Sequence, residues 1–283
     1  MKRLTPYLLI LPGGLWLVVF LVVPLIFMVS VSTQQGDVVN GFVQTFHIAN
    51  YTDALGQYRT QFLRSAVYGL VGTVLAILLA YPVAYWIAFR GGARKSTYLL
   101  LVLLPFFVSF VLRTVSWKFL LADDGIVFEP LKSAGLLPAD FHVLQTTTAV
   151  IGGLVYNYLP FMILPIYVAL ERVDPSVVEA AQDLYASRVA AFARIVLPLS
   201  LPGVFAGVLM TFVPMTSDYV NAAILGGPDN TMIGNIIQTE YLVNQDYPVG
   251  AALSFTLMAA LLVGIFGYAR ALGTQNVLEA AAR

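Results

Sequence analysis

The sequence predicts an all-α membrane protein with six transmembrane helices, and three observations carry that prediction. Of its 283 residues, 59% are apolar and only 11% are charged. An ordinary soluble domain carries roughly a quarter charged residues, so this chain has too little charge to cover a surface in water. Charge-free intervals long enough to cross a bilayer occur six times. The basic residues divide unequally between the two sides that six crossings define.

A bilayer core about 30 Å thick takes about 20 helical residues at roughly 1.5 Å each. The charge-free intervals are Leu4–Gly36, Ser65–Phe89, Ser96–Leu112, Val143–Leu170, Ile195–Ser217 and Tyr247–Ala269. They predict helices near 7–32, 63–89, 97–120, 146–169, 200–222 and 249–270. The first follows Lys2 and Arg3 but is too long for a signal-peptide h-region of about 7–15 residues, and no A-x-A-like site follows it. An uncleaved helix is expected. The third interval is the shortest, so Arg113 at its end is expected to snorkel to the headgroups. Beside it, Trp117 suits the interfacial belt; Arg113 and Lys118 either anchor there or contact a partner's carboxylates or repel a cationic substrate towards an acidic lane.

Six spans return both termini to one side. That side holds Lys2, Arg3, Arg90, Arg94, Lys95, Arg172, Arg188, Arg194, Arg270 and Arg283, ten of the fifteen Lys and Arg. The excess predicts cytoplasmic termini. Ten of the fifteen carboxylates fall on the other side, either as ordinary loop residues or as a vestibule that concentrates cations. The absence of cysteine excludes a disulfide framework and Cys-ligated metal. His47 and His142 lie far apart in polar loops, so no metal site is expected.

The loop 171–199 between the fourth and fifth spans is the most informative stretch. Asp174 is placed to cap a helix opening on Pro175, which has no N–H to leave unpaired. Val177, Val178, Ala181 and Leu184 share one face at helical spacing. Ser187 is placed to cap a second short helix before Pro198 and Pro202. Two amphipathic helices between membrane spans fit either a surface lying on headgroups or a docking element for another protein.

Glu179-Ala180-Ala181, then Phe192-x-x-Ile195-x-Leu197-Pro198 and Leu201-Pro202-Gly203, resemble the EAA loop of ABC-importer permeases. The likeness extends over the chain. Leu154–Met162, Leu225-Gly226-Gly227-Pro228 and Ile233-Gly234-Asn235-Ile236-Ile237 resemble the spermidine/putrescine permeases. The resemblance implies a type I importer (MetI-like) architecture in a bacterial inner membrane. It divides the chain into an N-terminal helix with its outer loop (1–61), a permease core (62–270) and a cytoplasmic tail (271–283). It also implies that Glu179, Ala180, Ala181, Asp183, Leu184, Tyr185, Ala186 and Ser187 form the coupling helix that seats on a separate ATPase.

The partners implied are a dimer of ABC ATPase subunits, a second homologous permease, an extracytoplasmic solute-binding protein and membrane lipid, with no nucleic acid. No cofactor is expected in this chain: it has no G-x-x-x-x-G-K-[ST] phosphate loop, so ATP and Mg belong to the partner, and no catalytic residue is assigned. One position departs from the family. Tyr185 stands where a glycine is usual, and glycine permits positive φ without strain. Either the backbone avoids that conformation, or Ala186-Ser187 absorbs the bend.

Candidate pathway residues follow the fifth span. Pro214 removes an intrahelical hydrogen bond, and Asp218 lies one turn beyond it beside Tyr219. Asp218 either rests at the outer interface or faces the pathway, because an ionised Asp at mid-bilayer costs about 2.5–3.5 kcal/mol. The stretch 224–246 is too polar to span, and Glu240 in it is a candidate cation ligand or an exposed carboxylate. Tyr156 and Tyr158 offer either a packing face or an aromatic wall for an ammonium group. Gly203-x-x-x-Gly207 permits close helix approach. The solute expected is a polyamine, with another small amine, an amino-acid derivative or an ion as the alternative. An ion-coupled secondary transporter is the remote one, disfavoured by spans nearly free of charge and by the lack of repeated halves.

Overall fold

The computed structural model describes residues 5–271, with side chains from residue 10 to residue 270. Five helical segments are long and apolar enough to cross a bilayer: Ile10–Ser32, Arg59–Arg90, Thr147–Glu171, Arg188–Ser217 and Tyr247–Arg270. A sixth crossing is available to a pair of segments, Gly92–Phe107 and Phe110–Leu121, bent at 88°. The described chain divides into two compact units. One comprises 5–59 with 236–260, the other 60–235 with 261–271.

The first unit begins with α1 (Thr5–Leu17) and α2 (Val23–Ser32), joined by a π-helical turn, Val18–Val22. Pro24 lies just beyond that turn, and its missing N–H explains why regular α bonding is interrupted there. No residue of this span's most apolar stretch is buried within the chain. A hairpin follows, β1 (Gln34–Asp37) antiparallel to β2 (Gly41–Gln44), with Asp37 opposite Gly41. This hairpin is an exception to the all-α expectation. Asp37 builds its turn by accepting bonds from the Val39 and Asn40 amides at 2.8 and 2.7 Å, the Asx-turn chemistry that lets a short loop close. Helix α3 (Ala49–Gln57) continues the unit.

In the second unit, α4 (Arg59–Arg90) presents Ala76, Ala80, Ala84 and Ala88 as a buried stripe at four-residue spacing. Small residues matter here because lipid supplies no hydrophobic drive between helices, so close backbone approach and van der Waals contact must hold them. The core beside the stripe contains Leu154, Met162 and Ile166 of α8 (Thr147–Glu171) and Met215 of α11 (Leu197–Ser217), all fully buried. Helices α8 and α11 make the most extensive pairing. Gly203 packs against the Pro165 carbonyl and Ala169, so a side chain there would force the helices apart, whereas Gly207 faces the flexible end of Met162.

Two expectations about spans are corrected. The third is not one helix over 97–120: α5 (Lys95–Leu103) runs into a 3₁₀ turn, Leu104–Phe107, and α6 (Phe110–Leu121) restarts in a new direction. Pro105 opens that turn, and Val108 and Ser109 are extended, with ψ of 139° and 137°. Proline removes a helical donor, and the chain uses the gap to turn. The fifth span stops at Ser217 rather than 222. Asp218 takes ψ 122°, and its carboxylate caps α12 (Val220–Leu225) by accepting the Asn221 amide at 2.8 Å. A short polar side chain that bonds nearby backbone competes with helix continuation.

Helix α7 (Phe128–Ser133) lies in the loop before α8, and the polar stretch after α12 forms short pieces, as its composition predicts. Asn230 fastens the Gly226-Gly227-Pro228 turn: its amide donates to the Gln145 and Gly226 carbonyls, while its carbonyl accepts from Tyr68 at 2.7 Å. Gly227 has φ +63°, which glycine adopts freely. Helix α13 (Ile233–Gln238), a π-helical turn over Thr239–Val243 and α14 (Tyr247–Ala271) complete the described chain.

Candidate functional site

Within the second unit, the bend of the third span, the middle of α8 and the end of α11 line an open cavity of about 410 Å³. Its walls include Phe106, Phe110, Arg113, Asn157, Tyr158, Phe161, Pro214, Ser217, Asp218, Tyr219 and Val220. The bend at Val108–Ser109 sets Phe106 and Phe110 on either side of the break, and Arg113 follows Phe110 by three residues on the same face of α6. The arginine is 7% exposed. Its guanidinium carbon lies 4.6 Å from the centre of the Phe106 ring and 5.7 Å from that of Phe110, and its Nε has no hydrogen-bond partner. The expectation that Arg113 snorkels to the headgroups is therefore overturned. A straight third span would have carried it outward; the bent one turns it in.

Asp218 is 6% exposed, so its carboxylate is packed within the chain. Its Oδ1 accepts the Asn221 amide N–H at 2.8 Å, and its Oδ2 accepts from Asn221 Nδ2 at 2.8 Å and from the Tyr158 hydroxyl at 3.0 Å. Asn221 is itself fixed, since its Oδ1 accepts from Asn157 Nδ2 at 3.1 Å, and Asn157 also donates to Thr114 at 3.1 Å. Gly153 leaves the room this requires, because a Cβ there would sit 2.7 Å from Asn221 Oδ1. The network thus ties α6, α8 and α12 to one carboxylate. Asn157 Oδ1 is buried without a partner.

The cavity brings together Asp218, Tyr219 and Tyr158 of the pathway candidates. Tyr156 lies elsewhere, its ring 5.2 Å from that of Trp117. Glu240 belongs to the first unit, where it accepts from Tyr58 at 2.6 Å and from Asn244 at 3.0 Å. Sequence reading did not single out Asn157, Asn221 or Thr114. A signal existed: an amide inside an otherwise apolar span, three residues before Pro160, and a second three residues after Asp218. Chemically, the cavity offers one carboxylate held by neutral donors, one guanidinium and several aromatic faces.

The loop 171–199 is built as its caps predict. Asp174 accepts the Ser176 amide at 2.9 Å and opens α9 (Pro175–Asp183). That backbone bond holds the Asp174 carboxyl below its usual range. Ser187 accepts the Ala190 amide at 3.2 Å and opens α10 (Arg188–Ala191). Between them α9 ends in a Schellman motif: Tyr185 N–H bonds the Gln182 carbonyl at 2.9 Å and Ala186 N–H bonds the Ala181 carbonyl at 3.0 Å. The residue at the C′ position of this motif is left-handed, usually glycine. Here it is Tyr185, with φ +63°. Both expected ways of avoiding that conformation are corrected, since the tyrosine itself adopts it.

The anticipated apolar face of α9 is also narrower than its spacing implies. Val178 and Ala181 are half-buried, but Val177 is exposed and Leu184 is 82% exposed. Glu179, Ala180, Asp183 and Ser187 are exposed, Ala186 is half-buried, and the Tyr185 ring is 99% exposed. Leu184, Tyr185 and Val189 thus form an uncovered apolar tip. Behind it a π-helical turn, Phe192–Val196, anchors the loop: Phe192 meets Tyr81 and Tyr85 edge-on, each at 5.7 Å between ring centres. Pro198 follows this turn as Pro24 follows the first one.

Comparison with known proteins agrees with this architecture. A family described as "Binding-protein-dependent transport system inner membrane component" matches residues 5–272. The spermidine/putrescine transport system permease protein PotB of Haemophilus influenzae is 35% identical over 257 residues, 90% of each chain. Among solved structures, a bacterial ABC transporter that imports the acidic polysaccharide alginate superposes with a TM-score of 0.71 at 20% identity, covering 97% of this chain and 96% of that one. A second alginate transporter structure, in complex with an alginate-bound periplasmic protein, gives 0.67 at 21% identity, covering 94% and 93%. The fold is the importer-permease (MetI-like) fold expected from the sequence. With a match across nearly all of its length and a relative of this similarity, the chain belongs to the family of inner-membrane components of binding-protein-dependent transport systems.

Proposed function

We propose that this permease forms half of the translocation pathway of an ATP-driven importer for polyamines. The observation that carries the reading is Asp218: a carboxylate nearly out of solvent contact, held by Tyr158 and Asn221 in an aromatic-walled cavity at the end of a membrane span. Ionisable residues at membrane depth are costly and are kept where a charged solute or ion passes. Aromatic faces add cation–π attraction for an ammonium group. The similarity to PotB supports the same solute class.

The remaining parts follow from that role. Glu179–Ser187 is the coupling element, with Ala180 and the tip Leu184-Tyr185 facing a separate ATPase dimer that holds ATP and Mg. The chain itself carries neither a cofactor nor catalysis. A second homologous permease completes the pathway, lipid or that permease covers the exposed first span, and a solute-binding protein delivers from outside. Both termini are cytoplasmic, on the side rich in Lys and Arg. Tyr219 lines the cavity with Asp218, whereas Tyr156 and Glu240 contribute to the pathway only through the parts of the chain they brace.

The test is Asp218→Asn in the assembled complex, with uptake of labelled putrescine and spermidine measured beside ATPase stimulation by loaded binding protein. Two unit charges about 4 Å apart interact by about 4 kcal/mol at an effective dielectric of about 20. Even a quarter of that slows uptake roughly fivefold, at about 1.4 kcal/mol per tenfold. Unchanged uptake at every solute concentration would remove Asp218, and the cavity with it, from the pathway.

A further inference from the structure

We propose that Arg113 is a specificity-determining residue of the cavity: a built-in cation that balances Asp218 and limits how much positive charge a solute can carry through. This deepens the proposed function and rests on its reading of Asp218 as part of the pathway.

The charge inventory of the cavity comes first. Among its lining residues, Arg113 is the one basic group and Asp218 the one carboxylic acid, so the formal charges of the walls balance. The two are nevertheless held separately. The ion pairs among the described residues are Lys95–Glu171 and Lys132–Asp123, and Arg113 joins neither. Asp218 takes its three hydrogen bonds from Asn221 and Tyr158. Arg113 lies on the Phe106 and Phe110 rings with Nε unpartnered. A buried guanidinium is unfavourable unless it is paired and hydrogen-bonded. Packing does not explain an arginine here, because an apolar side chain of similar length would cover the same rings without that penalty.

What the charge accomplishes follows from the chemistry of a polyamine. Its ammonium groups would be drawn to Asp218 and to the aromatic faces together, and a pathway conducts only when binding is weak enough to release. Arg113 weakens binding in two ways. It occupies the Phe106 face an ammonium would use, and it repels every positive charge that enters. That repulsion grows with the number of ammonium groups, so the residue discriminates by charge rather than by size.

Removing the charge should therefore trap the more highly charged solute. In purified complex containing the partner subunits, Arg113→Met should tighten equilibrium binding of labelled spermidine (three ammonium groups) over putrescine (two). The shift expected from a like charge across a cavity of this size at an effective dielectric of about 20 is on the order of tenfold. At saturating loaded binding protein, maximal spermidine uptake should fall relative to putrescine uptake in the same variant. Arg113→Lys should keep the original ratio, and Arg113→Met combined with Asp218→Asn, which restores neutral walls, should return towards it.

An unchanged spermidine-to-putrescine ratio in Arg113→Met would overturn the inference. If that variant does not assemble, Arg113→Gln against Arg113→Lys makes the same comparison, and equal ratios in that pair overturn it too. The two readings fail separately. Should Asp218→Asn slow both solutes while Arg113→Met leaves their ratio alone, only the role of Arg113 is lost. Should Asp218→Asn change neither, the pathway reading is lost as well.

Discussion

Replacing Tyr185 by glycine and by alanine isolates the strain in the loop 171–199. The backbone at Tyr185 is left-handed, φ +63°, and the side chain is 99% exposed, so within the chain neither substitution removes packing. A left-handed conformation costs an L-residue roughly 1–2 kcal/mol. Glycine escapes that cost but loses an extra 0.5–1 kcal/mol or so of backbone entropy on ordering. Alanine keeps the strain. The glycine variant should hold the turn more firmly than the alanine variant by about 0.5–1 kcal/mol, which is roughly two- to fivefold in the closed population. The bonds that close the turn, Tyr185 N–H to Gln182 and Ala186 N–H to Ala181, report it directly. Amide exchange across residues 179–190, corrected for intrinsic rates, should be slower in Tyr185→Gly than in Tyr185→Ala by that factor. Equal or faster exchange in the glycine variant refutes the argument from strain. The comparison stands whatever the ring does on the ATPase, since both variants lack it.

Four further outcomes are expected. Ala180→Leu should leave thermal stability unchanged but reduce co-purification of the ATPase, because Ala180 is exposed; Ala181→Leu, at a half-buried position, should lower stability by about 1–3 kcal/mol through overpacking. Phe192→Ala removes two edge-on ring contacts with Tyr81 and Tyr85, worth about 0.5–1.5 kcal/mol each, and should raise the ATP hydrolysed per solute moved. Single cysteines at Ala93 and Ala190 should resist an impermeant thiol reagent in intact cells, and labelling of either from outside reverses the orientation. Burial, then Glu240, raises the Tyr58 hydroxyl to about 12. The folded state thus favours the protonated tyrosine, so its contribution is complete below about pH 10 and declines as pH rises towards 12. Tyr58→Phe should abolish that decline in a pH-dependent unfolding series.

The parts legible in the sequence are those where one physical demand dominates. Satisfying backbone groups inside a bilayer requires long uncharged helices, and five of the six charge-free intervals fall on helices long and apolar enough to cross, the remaining one on the bent pair. Helix ends need acceptors for free amides, and Asp174 and Ser187 supply them as their positions imply. Less legible are features that depend on which of two tolerated conformations is taken. Pro105 sits in an apolar run where a proline is compatible with either a kink or a break; the break turned Arg113 from an interfacial residue into a cavity wall. Tyr185 stands where a family glycine marks a left-handed turn, but a tyrosine is compatible with either keeping or avoiding it, and the two closing hydrogen bonds decide. The hairpin at Gln34–Gln44 rests on one aspartate and two glycines, Gly36 and Gly41, too small a pattern to stand out beside a transmembrane helix. Asn157 and Asn221 were visible as amides but had no evident partners until α6, α8 and α12 were placed together.

The placement of these features along α8 and α11 bears on how a movement at the loop could reach the cavity. Helix α11 rises about 1.5 Å per residue, so its 21 residues cover about 30 Å. At one end the π-helical turn and Phe192 attach the loop to Tyr81 and Tyr85 of α4; at the other the helix stops at Asp218. Between them Gly203 and Gly207 lie directly on α8, against Pro165 and Met162. At Gly203 the contact is with the Pro165 backbone carbonyl, which has no rotamer to absorb a displacement, so α8 and α11 should shift as one body. Asn157 and Tyr158 of α8 hold the Asp218 carboxylate and its Asn221 support, and therefore travel with it. The bent third span is attached to that body by Thr114, through its bond from Asn157, and carries Arg113. Inserting one bulky residue at Gly207 is the sharpest challenge to this reasoning. Gly207→Leu would wedge α11 from α8 at Met162, and should uncouple solute release from ATP hydrolysis while α9 and its caps remain intact. Normal coupling in an assembled Gly207→Leu complex would show that the helix pair does not act as the rigid connector.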